Sequence, residues 1–361
     1  MRWQESDDYA AIPMRAVGPV KINGTEVNAQ LPLPMATYET PLWHSTHRGA
    51  LACNKAGGIN AVVMDDRMTR SVLFEADNIV TAQRFVQALP GYRQQLEEEV
   101  GKTSRFARLL DFHTQVVGTL VYLRFEFQTG DASGHNMATL AAEGLMKWLL
   151  ERHSDLGYVT ISGNFCTDKK NSAVNGILGR GKYVVADVLL PRSTVRRVLK
   201  AEPEKIVQLS IKKNLIGSII SGGVRTANAH FANMLLGYYL ATGQDAANIV
   251  EGSQGMVHTE MRGDDLYFSV TLPNLVVGSV GNGKGLDFVQ RNLEALGCTD
   301  RDATPGSNAR RLAVGAAACV LCGELSLLAA QSVPGELMQS HVSLERSAVN
   351  KSAHNSKDNE Q

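Results

Sequence analysis

Val121-Tyr-Leu-Arg-Phe-Glu-Phe-Gln128 is the stretch from which the fold can be read. Val121, Leu123, Phe125 and Phe127 alternate with Tyr122, Arg124, Glu126 and Gln128, the period-2 pattern of a strand with one face buried. Downstream, Met137, Leu140, Ala141, Gly144, Leu145, Trp148 and Leu149 fall on one helical face. Tyr158-Val-Thr-Ile161 reads as another strand. Upstream, Ser71-Val-Leu-Phe74 followed by Ile79 to Leu89 again gives strand then helix. Two strand–helix units between 71 and 161 make a compact α/β module.

The second half is more helical. Ala229 to Thr242 carries an apolar face of Phe231, Leu235, Tyr238 and Tyr239, and Ala313 to Ala330 is apolar almost all round. A helix of that kind is buried and central to its domain. Cys319-Val-Leu-Cys322 lies inside it, where a CxxC pair reads as core rather than as a redox or zinc motif.

The chain has 361 residues, with 36 Lys+Arg against 36 Asp+Glu, so its net charge is zero. With no basic block, nothing supports nucleic acid or an anionic membrane as a partner. Its length suggests two domains, or one large domain with an insertion. Five cysteines, an odd and scattered set, form no disulfide framework and point to a reducing, cytoplasmic location. The polar N-terminus lacks a signal-peptide core. The longest apolar run, Leu312 to Gly323, stops at Glu324 after 12 residues, where a bilayer span needs roughly 20. The polar tail from Ser347 to Gln361 is expected to be disordered.

Five polar clusters interrupt apolar surroundings. In Pro34-Met-Ala-Thr-Tyr-Glu-Thr40, Glu39 suits a general acid, or simply an acid at a helix start. Gly130-Asp-Ala-Ser-Gly-His-Asn136 turns from strand to helix, as a phosphate-binding turn does, although Asp131 serves equally as an N-cap. Ser162-Gly-Asn-Phe-Cys-Thr-Asp-Lys-Lys170 sets two lysines beside Asp168, to bind a carboxylate and polarise a carbonyl, or as a solvated turn. Asp245, in Gly243-Gln-Asp-Ala-Ala-Asn248, is placed at a helix C-terminus, where it opposes the macrodipole and calls for a lysine partner. Gly278-Ser-Val-Gly-Asn-Gly-Lys-Gly285 nearly spells a P-loop, but Gly285 stands where the Mg²⁺-binding hydroxyl belongs, so a plain glycine turn remains. No spaced Cys/His set indicates a metal. His341, near the tail, suits an acid on a closing segment, or a surface residue.

Taken together and in order, these stretches resemble the catalytic portion of the 3-hydroxy-3-methylglutaryl-CoA (HMG-CoA) reductase family, closer to class I than to class II. The resemblance runs from about Ile12 to Ser347. It rests on Thr103-Ser-Arg-Phe-Ala-Arg-Leu109, Cys166-Thr-Asp-Lys-Lys170, Asn228-Ala-His-Phe-Ala-Asn233, Gly243-Gln-Asp-Ala-Ala247 and Gly323-Glu-Leu-Ser-Leu327. It implies an α+β fold: a large substrate and dimerisation domain (1–70 and 162–340) around a buried central helix, a small ferredoxin-like NADP(H)-binding insert (71–161), and a mobile C-terminal segment (341–361). It implies NADPH as cofactor, no metal, and a homodimer or homotetramer with active sites between subunits. By motif, Glu39, Lys169, Asp245 and His341 match the family's catalytic groups. Arg70, Ser162, Asp168, Lys170 and Lys213 match residues that hold the hydroxymethylglutaryl group, Asn233 matches the catalytic hydrogen-bond network, and Arg48 matches a CoA contact. Ser104, Arg105, Asp131 and Asn136 match nucleotide-binding positions.

Some positions depart from the family. Tyr38 and Thr40 flank Glu39 where Thr and Gly are usual, which is expected to crowd the turn. His135 replaces a Met, Asn171 replaces a Pro, and the segment after His341 is changed. Three functions follow: an HMG-CoA reductase of mevalonate synthesis, a reductase of another branched acyl-CoA, or a non-catalytic homologue that binds CoA thioesters. The last has no use for the proton chemistry of four retained groups.

Overall fold

The structure, a computed structural model, describes residues 10–338 and Val342. β1 (Met14–Asn23) and β2 (Ala29–Ala36) form an antiparallel pair, followed by α1 (Thr40–Lys55). β3 (Ile59–Ala76) then runs unbroken for 18 residues and serves two groups of strands. After it come α2 (Ile79–Ala88), α3 (Arg93–Thr103), β4 (Arg108–Val117), β5 (Leu120–Gln128), α4 (His135–Leu150) and β6 (Leu156–Thr160). Met68 to Glu75 of β3 pair with β5, β5 pairs with β4, and the end of β3 pairs with β6, all antiparallel. The order β6-β3-β5-β4, with helices after the first and third strands, is the split βαβ arrangement of ferredoxin-like units.

The first half of β3, Asn60 to Arg67, pairs instead with β7 (Gly181–Leu190). β8 (Met256–Arg262) and β9 (Asp265–Leu275) complete the order β2-β1-β3-β7-β9-β8. The fold is α+β, with two cores joined by one strand. Phe74, Phe85, Leu123, Phe125 and Leu145 meet in the smaller core. Truncating a ring as buried as Phe125 to Ala costs about 3–5 kcal/mol.

The larger core surrounds the helix Ser307–Gln331, hereafter the central helix. Among the described residues it alone is long and apolar enough to cross a bilayer, but 94% of its most apolar window is buried inside the protein. Its apolarity is that of a core helix. Cys319 and Cys322 are fully buried in it. Gly49 of α1 lies so close to the Cys322 backbone that no Cβ fits between them. Glu324, which ends the apolar run, is also fully buried. Its carboxylate accepts bonds from the backbone N–H of Ala229 and of His230 (3.1 Å), and lies 2.8 Å from His230 Nδ1. An anion at that point favours the start of the next helix, Phe231–Ala241.

One expectation fails in an informative way. Alternation in β5 predicts Arg124 and Glu126 on a solvent face, yet both are completely buried. Segment 165–179 covers them. Arg124 donates to Phe165 O (3.1 Å), to Asn175 Oδ1 (2.9 Å) and to Gly179 O, while Glu126 accepts from Arg124 Nε (3.2 Å) and from Arg67. Buried charge is tolerated only when paired in this way. The result is a rigid base under the turn that carries the two adjacent lysines.

Candidate active site

That turn is backbone-strained. Asn164, Thr167 and Lys169 all adopt positive φ (62°, 43° and 55°), a conformation L-residues hold only when their surroundings over-determine it. Arg180, fully buried, supplies much of that constraint: NH2 donates to Asp168 Oδ1 (2.8 Å) and NH1 to Glu251 Oε1 (2.6 Å). The same Glu251 oxygen accepts the Lys169 backbone N–H at 3.3 Å. So held, Lys169 Nζ reaches Asp245 Oδ2 at 2.6 Å.

Asp245 is not at the end of the preceding helix, which stops at Ala241. It instead caps the short turn Ala246–Asn248, accepting from Ala247 N at 3.0 Å. The position opposes no macrodipole, and the lysine partner looked for in the sequence is Lys169. The Asp245 hydrogen bond, outweighing burial, raises the Lys169 ammonium pKa. Burial pushes Asp245 up, but its bonds to Lys169 and Ala247 bring it below the usual carboxylate range. Asp168 is likewise pushed up by burial, and then carried well below that range by the His135 hydrogen bond and the charges of Arg180, His135 and Arg70.

Arg70, His135, Asn136, Asp168, Lys169 and Asp245 line one cleft of about 560 Å³, together with Lys284. Arg70 NH1 donates to Ser162 Oγ at 3.3 Å, joining two residues that the family resemblance also groups. Lys170 is exposed, its ammonium bonded to Asp168 O at 3.0 Å.

Glu39 lines a different cleft, about 350 Å³, with His44, Arg48, His230 and Asn233. It stands at the start of α1 but makes no cap bond there. Its Oε2 accepts instead from Asn233 Nδ2 at 3.1 Å. Arg48 donates to Ser326 through Nε (3.0 Å) and NH2 (2.9 Å) and pairs with Glu336 at 3.4 Å. Tyr38 does not crowd the turn: it is 71% exposed, its hydroxyl donates to Ala11 O, and neither Tyr38 nor Thr40 lines the cleft. Lys213 lines neither cleft. Its ammonium donates to Gln331 Oε1 at 2.8 Å, and burial lowers its pKa. The two clefts lie toward opposite ends of the helix Phe231–Ala241, with Asn233 in its first turn and Asp245 beyond its last. Asn233 to Ala241 alone spans about 12 Å at 1.5 Å per residue. His341 lies outside the described residues.

In the smaller unit, Ser104 ends α3 and its Oγ accepts from Phe106 N (3.1 Å). The Arg105 guanidinium is exposed, 4.7 Å over the Phe106 ring. Asp131 caps a helix, but not the one that follows it. It accepts from Gly306 N (3.0 Å) and Ala309 N (2.9 Å), at the start of the central helix. A hollow of about 470 Å³ opens beside it, lined by Phe106, Ser279 and Arg301 among others. Ser279 Oγ there is buried and has no partner among the described residues. With the start of α4 and the cation of Arg105, this hydroxyl fits a phosphate-bearing dinucleotide.

Arg124, Arg180, Glu251, Glu324 and Lys284 were not singled out by sequence reasoning as site residues. The available signal was a charge set inside small or apolar neighbours, as in Gly179-Arg-Gly181 and Val250-Glu-Gly252.

Residues 8–346 match the family model described as hydroxymethylglutaryl-coenzyme A reductase. Over 339 residues the chain is 41% identical to the 3-hydroxy-3-methylglutaryl-coenzyme A reductase of Aeropyrum pernix, covering 94% of this chain and 80% of that one. It is 43% identical over 321 residues to the reductase of Pyrococcus abyssi, covering 88% and 78%. The solved class II 3-hydroxy-3-methylglutaryl-CoA reductase of Streptococcus pneumoniae, bound to NADPH in open conformations, superposes with a TM-score of 0.72, covering 92% and 88%. At 17% identity that likeness is one of fold.

Proposed function

The chain belongs to the hydroxymethylglutaryl-coenzyme A reductase family, and on that premise we propose that it reduces (S)-HMG-CoA to (R)-mevalonate and free CoA. The cofactor is NADPH, which when bound supplies the hydride for each of two reductions. Ser104, Arg105, Asp131 and Asn136 are the residues proposed to hold it, Asp131 through its backbone because its carboxylate is taken. The unit from β3 to β6 is the nucleotide-binding domain in this reading, and the rest binds substrate.

The observation that carries the proposal is the Lys169–Asp245 pair. Reduction of a thioester, and then of an aldehyde, places negative charge on oxygen each time. A preorganised cation answers that charge best when it does not have to move. Asp245 keeps Lys169 protonated and pointed into the cleft. Glu39, oriented by Asn233, donates the proton to the alkoxide. Arg70, Ser162, Asp168, Lys170 and Lys213 hold the hydroxymethylglutaryl group, and Arg48 meets CoA. His341 protonates the departing CoA thiolate.

Glu39 and Lys169 line separate clefts of one chain. The separation supports a homo-oligomer in which Glu39 of one copy faces Lys169 and Asp245 of another, the isologous arrangement of a two-fold dimer. Five free, buried cysteines support a cytoplasmic protein. Tyr38 bonds to Ala11 O, and neither it nor Thr40 lines either cleft, which supports HMG-CoA over another acyl-CoA. The test is stoichiometry: two NADPH oxidised per HMG-CoA, with mevalonate and CoA released. Turnover of another thioester but none of HMG-CoA would overturn the substrate assignment.

A further inference from the structure

The turn that carries Asp245 is anchored from its far side. Gly243 and Gly283 approach so closely that neither has room for a Cβ. Gln244 Oε1 accepts from Gly278 N at 2.9 Å, and the Lys284 ammonium donates to Gly243 O. The glycine turn 278–285 is itself bridged to the nucleotide-side turn through Ala132 and Val280. Lys284 is only 7% exposed and makes no ion pair among the described residues. The charged and titratable groups around it are Asp245 on the clamped turn, Lys169 and Asp168 on the lysine turn, Arg70 on β3, His135 at the start of α4, and Asp287 on the helix that follows.

We infer that Lys284 is a positioning residue for the reduction: its bond to Gly243 O holds the 243–245 turn where Asp245 meets Lys169. The inference rests on the catalytic reading of that pair. A cation bonded to a carbonyl inside a desolvated cleft makes a stronger clamp than a neutral donor. Burial lowers the Lys284 pKa to about 8, whereas Asp245 raises that of Lys169. As pH rises, Lys284 therefore loses its proton before Lys169 does. The clamp weakens while the oxyanion-binding cation is still charged.

The experiment is steady-state kinetics of the full chain with NADPH and mevaldehyde, whose reduction does not draw on the acid assigned to His341, from neutral to alkaline pH, for the wild type, Lys284→Met and Lys284→Arg, with HMG-CoA turnover measured beside it. The wild type is expected to lose kcat as pH rises through about 8. Lys284→Met should lower kcat roughly tenfold at neutral pH, the loss of about one charge-assisted bond, with both KM values little changed and the alkaline limb gone. Lys284→Arg should keep kcat and hold it past that limb, because guanidinium stays charged. A wild-type limb that persists in Lys284→Met, or equal damage by Met and Arg at every pH, overturns the clamp while leaving the reductase reading intact. If Lys284→Met does not fold, the shift of the limb in Lys284→Arg decides alone. A wild type inert toward HMG-CoA removes the reading and this inference together.

Discussion

Lys169 Nζ lies 2.6 Å from Asp245 Oδ2, across two turns from distant parts of the chain. Neither turn belongs to a regular element, and each is held from behind. Arg180 and Glu251 fix the first, and the glycine turn 278–285 fixes the second. The pair therefore meets without a helix or strand to align it. Its geometry depends on buried hydrogen bonds.

Separating Glu39 from Lys169 predicts interallelic rescue. Glu39→Gln and Lys169→Ala should each be inactive when expressed alone. Co-expressed, mixed dimers regain one intact site of two, so activity should return to about a quarter of wild type under random two-fold pairing. Measured activity no higher than that of either parent would mean that each chain completes its own site.

The two lysines should separate kinetically. Lys169 is assigned to charge that grows in the transition state, and removing such a donor typically costs roughly 10²–10³ in rate. Lys169→Ala should show that loss in kcat with HMG-CoA and with mevaldehyde. Lys170, exposed and bonded to Asp168 O, is assigned to a carboxylate already present in the ground state. Lys170→Ala should raise KM and spare kcat.

Arg105 presents an exposed guanidinium over Phe106, with Ser104 beside it. A planar cation and a hydroxyl suit the 2′-phosphate that distinguishes NADPH. Arg105→Ala should raise the KM for NADPH much more than the KM for NADH. Equal effects on the two cofactors would place Arg105 against a part they share.

His341 is assigned to one step only. A thiol of pKa about 8.5 leaves as a thiolate and re-adds unless it is protonated. Mevaldehyde supplied directly contains no thioester. His341→Gln, or deletion of 340–361, should therefore abolish most activity with HMG-CoA and retain most with mevaldehyde, whereas Glu39→Gln should impair both. Equal damage to both substrates by His341→Gln would rule out the thiolate role.

Much of this was legible in the chain. Alternation across Val121 to Phe127 and helical spacing from Met137 to Leu149 locate β5 and α4 to within a few residues. The apolar run after Leu312 reads as a buried helix because no soluble helix leaves such a face to water. The order of short motifs identifies the family and names Glu39, Arg48 and Asn233 in one cleft and Arg70, Asn136, Asp168, Lys169 and Asp245 in the other. These are local properties, set by side-chain periodicity and by residue identity.

What sequence alone did not decide is which distant groups meet. Arg124 and Glu126 fall on the polar side of a strand, but that side is covered by a segment forty residues on, so two charges expected in water are buried and paired. Asp131 reads as the cap of its own helix and caps another, which starts near Gly306. Glu39, Lys169 and Asp245 read as one catalytic set, and within one chain Glu39 lines a different cleft from the other two. In each case periodicity says which face a residue occupies, while tertiary packing decides what lies against that face. Where burial removes water as the alternative partner, as it does at Arg124 and Glu126, a charge is paired with whatever group the fold brings within hydrogen-bond reach.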